Sequence, residues 1–304
     1  MKNHFTQLQD HYRAWLNTLG FSSHTVYGYP KTLRYFFEYL ENKGIYHIGN
    51  LKPGHITAYF EHLQTRPNMR ISGQALSKAH LNKSFDSIDK FLEFLHQRGM
   101  SSAPQPTRYR IMETRNEAMS KVKIFTRQEI QTLYDSAQKL FTTYLAYKDT
   151  EPRQAVATLI LDLCYGCGLR KSEAFNLLIE DIDLDKKILF VRQAKGYKDR
   201  YVPISQAVNK RLKIFIYQHR RAFNPDHKRV FPLSFHALPC YFKLLLKSGG
   251  LQYQRGTGLH TLRHSIATHL LQNGMSIEQI AKFLGHGTLE STQVYTHLIN
   301  DDEQ

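Results

Sequence analysis

The stretch HTLRHSIATHLLQNGMSIEQIAKFLGHGTLESTQVYTHL, residues 260–298, decides how the second half of the chain folds. Its apolar residues recur at helical spacing over 261–272 and again over 277–284. Ser276 and Gln279 form a capping box at the start of the second segment. Leu284-Gly285-His286-Gly287 reads as a tight turn, and a short helix over Thr292–Leu298 carries Tyr295. His260, Arg263 and His264 therefore crowd the first turn of one helix. His260 and His264, at i and i+4, have the spacing of a zinc pair. The glutamate of an H-E-x-x-H motif is absent, and Arg263 would place a cation beside the metal, so no metal site is expected.

Working upstream, Thr126-Arg127-Gln128-Glu129 is a capping box for a helix through Ile130, Leu133 and Tyr134. Another helix covers Ala155–Gly166. Gly166 and Gly168 break it just before Arg170, and a new helix carries Ser172–Ile179. ILFVRQ and RYVPI, within 188–204, read as two strands joined by AKGYKD, a hairpin with Lys195 at its tip. Helices return through 206–221 and 236–248. Residues 1–97 are helical throughout. Phe5, Leu8, Tyr12, Trp15 and Leu16 line one helix, and Leu33, Phe36, Phe37 and Leu40 a second, which Pro30 is expected to delay or kink. Pro53 opens a third helix. A fourth runs from about Leu76 to His96 and stops at Gly99. Residues 99–122, with SSAPQPTRYR and several basic side chains, read as a linker, either solvated or lying along a phosphate backbone.

The chain has 304 residues, enough for two compact domains. The expected fold is mainly α with a small β-sheet: a helical domain over 1–98, a linker over 99–122 and a mixed α/β domain over 123–304. Lys plus Arg is 41 against 26 for Asp plus Glu, a net charge of +15 that favours a polyanionic partner. Residues 1–110 hold 14 basic and 7 acidic side chains, so the excess is not confined to one half. The three cysteines, Cys164, Cys167 and Cys240, suit reduced thiols in the cytoplasm. C-x-x-C at 164–167 has neither a thioredoxin-like context nor a second ligand pair, so buried helix-face thiols are expected. Neither a membrane span nor a signal-peptide core is read in the sequence.

The chemistry suggested by these residues is phosphodiester cleavage. Such a transition state gathers charge on the non-bridging oxygens. Arginine, planar and always charged, suits two of them at once. Arg170 and Arg263 could clamp the phosphate and His286 could add a hydrogen bond. A tyrosine hydroxyl could attack, and Lys195 or a histidine could protonate the leaving oxygen. No carboxylate cluster suited to Mg²⁺ stands out. Taken singly these residues say little, since Tyr295 is one of 18 tyrosines.

GLRKSE at 168–173, AKG at 194–196, HTLRH at 260–264, LGH at 284–286 and YTH at 295–297 follow one another in that order. This series resembles the catalytic signature of the tyrosine recombinase (phage integrase) family, with wording similar to Xer-type and transposon integrases. The resemblance covers about 123–298 strongly and 1–110 more loosely, as a helical core-binding domain that grips DNA. It implies Tyr295 as a nucleophile forming a 3′-phosphotyrosyl bond, and Arg170 and Arg263 as the phosphate-holding arginines. It also implies Lys195 as general acid, His260 as base or positioning group, His286 as a third phosphate contact and His264 as structural. No cofactor is implied, because the phosphotyrosyl bond conserves the energy of the broken phosphodiester.

The implied partner is double-stranded DNA with a specific recombination site, bound by a homotetramer or heterotetramer on paired sites. Nine residues follow Tyr295 and end in DDEQ, so the longer tail helix of many relatives is expected to be short or absent. Two alternatives stand beside this reading: DNA relaxation of the type IB topoisomerase kind, and a catalytically silent DNA-binding protein.

Overall fold

The computed structural model describes residues 3–68, 73–112, 123–141, 150–192, 199–223, 226–253 and 257–285. Lys195, His286, Tyr295, most of the hairpin joint and the helix read over Thr292–Leu298 lie outside the described residues. The chain divides into two compact units, 1–114 and 115–304. Its secondary structure is mainly helical with one small sheet, as the sequence predicts.

In the first unit, helices α1 (Asn3–Thr18), α2 (Ser23–Asn42), α3 (Pro53–Thr65) and α4 (Lys78–Gln97) surround a core of aromatic side chains. Phe5 stacks on Phe37 with centroids 4.5 Å apart, and Phe91 meets Tyr12 and Phe37 edge-on at 5.4 Å each. These are the stripes expected from the spacing. Pro30 does not delay α2, which begins well before it. Ser22 caps the helix, its side chain accepting from the Thr25 amide. Pro30 itself is buried, and core contact offsets the backbone bond that proline cannot make. Polar side chains from the neighbouring helices reach the same turn. Gln9 donates to the Pro30 carbonyl at 2.6 Å and Ser87 to the Tyr29 carbonyl at 2.8 Å.

Residues 99–112, read as the opening of a linker, lie against α4. The reason is Asp89, 5% exposed, whose carboxylate accepts from the Thr107 amide at 2.7 Å and the Arg108 amide at 2.9 Å. Arg110 donates to the same carboxylate at 3.0 Å and also pairs with Asp86. Asn82 holds Ile111 by both its amide and its carbonyl. Two carboxylates already engage the Arg110 guanidinium, so a phosphate would have to compete for it.

The second unit opens with α5 (Arg127–Lys139), whose capping box is present. The Thr126 side chain accepts from the Glu129 amide, and the Glu129 carboxylate accepts from the Thr126 amide. Helix α6 (Thr150–Leu161) ends in one wide turn, Asp162–Gly166. Asp162 is fully buried there. Arg211 meets it with two hydrogen bonds of 2.7 Å, and Tyr134 donates at 3.0 Å. The burial of an ion is thereby matched by three donors. Helix α7 (Lys171–Asn176) follows. The sheet is antiparallel, in the order β1 (Ile182–Asp183), β2 (Ile188–Val191), β3 (Arg200–Pro203). The two long strands match expectation; β1 is too short to show a period in sequence.

Helices α8 (Gln206–Ile214), α9 (Ala237–Ser248), α10 (Leu259–Gln272) and α11 (Ile277–Leu284) follow among the described residues of the unit. Its core gathers Phe125, Leu133, Ile160, Leu212, Phe231 and Phe242, all at most 1% exposed. Cys164 and Cys167 are fully buried within it. Burial, and then the nearby Glu173 charge, pushes the Cys164 thiol up to about 12. Among the described residues no helix is long and apolar enough to cross a membrane.

Candidate active site

Three arginines converge on one carboxylate. Gly168 turns the chain out of the wide turn with φ +62°, a left-handed conformation that favours glycine. A Cβ there would come within 2.6 Å of the Leu284 side chain, so only glycine lets α11 pack so closely. Arg170 then sits just before α7. Glu173, in the first turn of α7, accepts from the Arg170 amide at 2.9 Å and from its guanidinium at 2.6 Å. Arg200 adds two further bonds to the same carboxylate, 3.2 and 2.9 Å, and Arg263 stands 3.7 Å away. Burial alone would raise the Glu173 carboxyl. The hydrogen bonds and charge of Arg200, with the hydrogen bonds of Arg170, outweigh it and hold the pKa at about 2.

The same arginines also bind the last turn of α11. Arg200 donates to the Phe283 carbonyl at 3.1 Å, Arg263 to Leu284 at 2.7 Å and Arg170 to Gly285 at 3.3 Å. These carbonyls end a helix, where they lack internal donors and carry the negative end of the dipole. Gly285 closes the helix with φ +68°. Arg263 also donates to the Gly168 carbonyl at 2.6 Å. One buried cation, 4% exposed, thus joins the glycine turn, α10 and the end of α11.

Arg170 is the more open member of the expected pair, its side chain 26% exposed. His260, exposed in the first turn of α10, lies one turn before Arg263. Its pKa is lowered by partial desolvation of the ring and then by the charges of Arg263, Arg170 and Lys171. His264, one turn further along, is pushed down to about 4 by burial, then by the charges of His260 and Arg263. Both imidazoles are therefore neutral near pH 7.

Arg170, His260, Arg263 and His264 lie in one region, Arg170 and Arg263 both against Glu173. Lys195, His286 and Tyr295 fall outside the described residues. Glu173 and Arg200 were not singled out in the sequence. Glu173 stands in GLRKSE at capping distance from Arg170. Arg200 alternates with Val202 on the buried face of β3, and this parity is the signal for a buried arginine that needs a partner.

Residues 123–301 match the phage integrase family. The chain is 27% identical over 290 residues to the tyrosine recombinase XerC of Oceanobacillus iheyensis, covering 92% of this chain and 87% of that one. It is 30% identical over 236 residues to the XerC of Lactobacillus delbrueckii subsp. bulgaricus, 75% of each chain. The fold is similar to that of XerH site-specific recombinase bound to a palindromic difH substrate in a post-cleavage complex. The TM-score is 0.72 at 18% identity, over 97% of this chain and 81% of that one. The chain belongs to the phage integrase family. It is a tyrosine recombinase, an enzyme of site-specific recombination that cleaves and rejoins DNA.

Proposed function

We propose that this recombinase cleaves double-stranded DNA at a specific site through Tyr295, with Arg170 and Arg263 holding the scissile phosphate. The observation that carries the reading is the convergence of these two arginines beside His260, with three guanidinium groups against one carboxylate. That surplus of positive charge suits a phosphorane transition state. The Tyr295 oxygen forms a bond to phosphorus while the bond to the 5′ oxygen breaks. His260, neutral, takes the phenolic proton, and Lys195 gives one to the leaving oxygen. His286 adds a phosphate contact and His264 packs behind. A 5′-hydroxyl of a second DNA reverses the step, so no cofactor or metal is used.

Residues 1–98 act as a core-binding domain that grips DNA, 99–122 connect, and 123–304 catalyse. Four protomers, of one kind or two, pair two sites. The XerH complex with its DNA substrate and the +15 charge support a DNA partner. The reaction takes place in the cytoplasm, where the three thiols stay reduced.

Tyr295→Phe keeps the ring and removes the nucleophilic oxygen. DNA binding is expected to persist while the covalent protein–DNA adduct disappears, and wild-type adduct formation continues in EDTA. An adduct formed by the Phe variant, or a strict Mg²⁺ requirement, overturns the mechanism. Relaxation of supercoiled DNA without exchange between two sites would favour the topoisomerase reading.

A further inference from the structure

We propose that Arg200 is a positioning residue for cleavage: it shares the Glu173 carboxylate with Arg170 and so offsets a negative charge that would otherwise fall on Arg170 and Arg263 alone, the two arginines that face the DNA phosphate. The inference rests on the phosphate-holding role given above to those two arginines. Arg200 is 9% exposed, and its place on the inward face of β3 would ordinarily hold an apolar residue like Val202. It makes both of its strong contacts away from its own strand. Two guanidinium nitrogens meet the two oxygens of Glu173, and the third donates to the Phe283 carbonyl.

Two consequences follow from this geometry. First, one carboxylate faces three guanidiniums. Without Arg200 the same negative charge would be balanced by Arg170 and Arg263 alone, and the net positive charge at the site would fall by one. Second, Arg200 is the first residue of β3 and pairs across the hairpin with Val191. The start of β3 is therefore tied to the last turn of α11. On the other strand's exit, Arg192, its side chain 54% exposed, pairs with the exposed Glu180 and with Asp181, whose side chain is 3% exposed. Screened by water, its contact with Glu180 carries much less than the buried Arg200–Glu173 pair.

The test uses the full-length protein and single-turnover adduct formation on a nicked duplex bearing the site recovered by cross-linking wild-type protein to DNA in cells. Arg200→Met is expected to slow adduct formation by about 100-fold, the scale of a small misplacement of reacting groups. Arg200→Lys keeps the charge but cannot span Glu173 and Phe283 together, and falls between wild type and Met. Adding Glu173→Gln to Arg200→Met removes the unbalanced carboxylate and restores part of the rate. A residue that only stabilises the fold would show no such rescue. Replacing the 5′ bridging oxygen with sulfur leaves the Arg200→Met defect in place, whereas it relieves loss of the Lys195 acid.

Wild-type rates in both single variants overturn the proposal. So does full recovery of Arg200→Met on the sulfur substrate. If Arg200→Met does not fold by circular dichroism, Arg200→Lys and its combination with Glu173→Gln decide. Failure of wild type to form any adduct, or adduct formation by Tyr295→Phe, instead counts against the cleavage mechanism itself.

Discussion

Glu173 and His264 give the active-site region a dependence on pH that runs in two successive windows. The Glu173 carboxyl lies at about 2 in the folded protein, against an ordinary value of 4.5. Its contribution is therefore fully present above pH 4.5 and is lost as pH falls toward 2. Glu173→Gln should cost on the order of 3 kcal/mol at pH 7, from the linkage between proton binding and folding. Urea denaturation should show that difference shrinking below pH 4.5; a constant difference down to pH 3 would contradict the arginine-held carboxylate. His264 lies at about 4 against an ordinary 6.5. The unfolded chain binds this proton first, so stability falls with acid between pH 6.5 and 4. His264→Gln should flatten that part of the curve. If His260 takes the phenolic proton as proposed, the acid limb of the cleavage rate should follow its protonation, and its lowered pKa moves that limb to more acid pH.

Elements meet at two places where a single substitution separates packing from chemistry. The glycine turn before α7 and the end of α11 touch through Gly168, Leu284 and Phe283. Gly168→Ala forces a side chain into a left-handed residue and against Leu284. It should destabilise the second unit by roughly 1–3 kcal/mol, and should weaken the Arg263 bond to the Gly168 carbonyl. Equal urea midpoints for wild type and variant would deny the close approach. In the first unit, Asp89 holds Thr107, Arg108 and Arg110 against α4. Asp89→Ala removes these acceptors, so trypsin should cut after Arg108 and Arg110 faster than in wild type. Unchanged cleavage kinetics would show that Asn82 and the buried Ala103 suffice to hold the segment.

For the whole molecule, each unit has its own core, and positive charge is spread through both halves of the sequence. A fragment of residues 1–112 should fold alone with a helical circular dichroism spectrum. It should be more stable than 1–98, because the shorter piece lacks Ala103, Ile111 and the donors that satisfy Asp89. Equal melting temperatures for the two fragments would contradict this. The 1–112 fragment should also bind DNA, more weakly than the full chain. For the full chain, log affinity should fall linearly with log salt, because each phosphate contact releases a counterion. Affinity independent of salt would exclude phosphate contacts as the source of binding.

The sequence by itself determined the helical stripes, the two capping boxes, the long hairpin strands and the family signature. All of these are local: they rest on spacing within one element or on the order of short motifs. It also brought forward Arg170, His260 and Arg263, because they stand in short motifs whose order along the chain is readable even though each residue alone says little. Only the tertiary structure decided that α2 runs through Pro30, that residues 99–112 lie against α4, and that Glu173 and Arg200 belong to the site. In each case the partner is far away in sequence. Gln9 and Ser87 reach the carbonyls around Pro30, Asp89 reaches Thr107, and Glu173 meets Arg200 across 27 positions. A buried charge must find its counter-charge in three dimensions, and periodicity carries no information about which residue that will be.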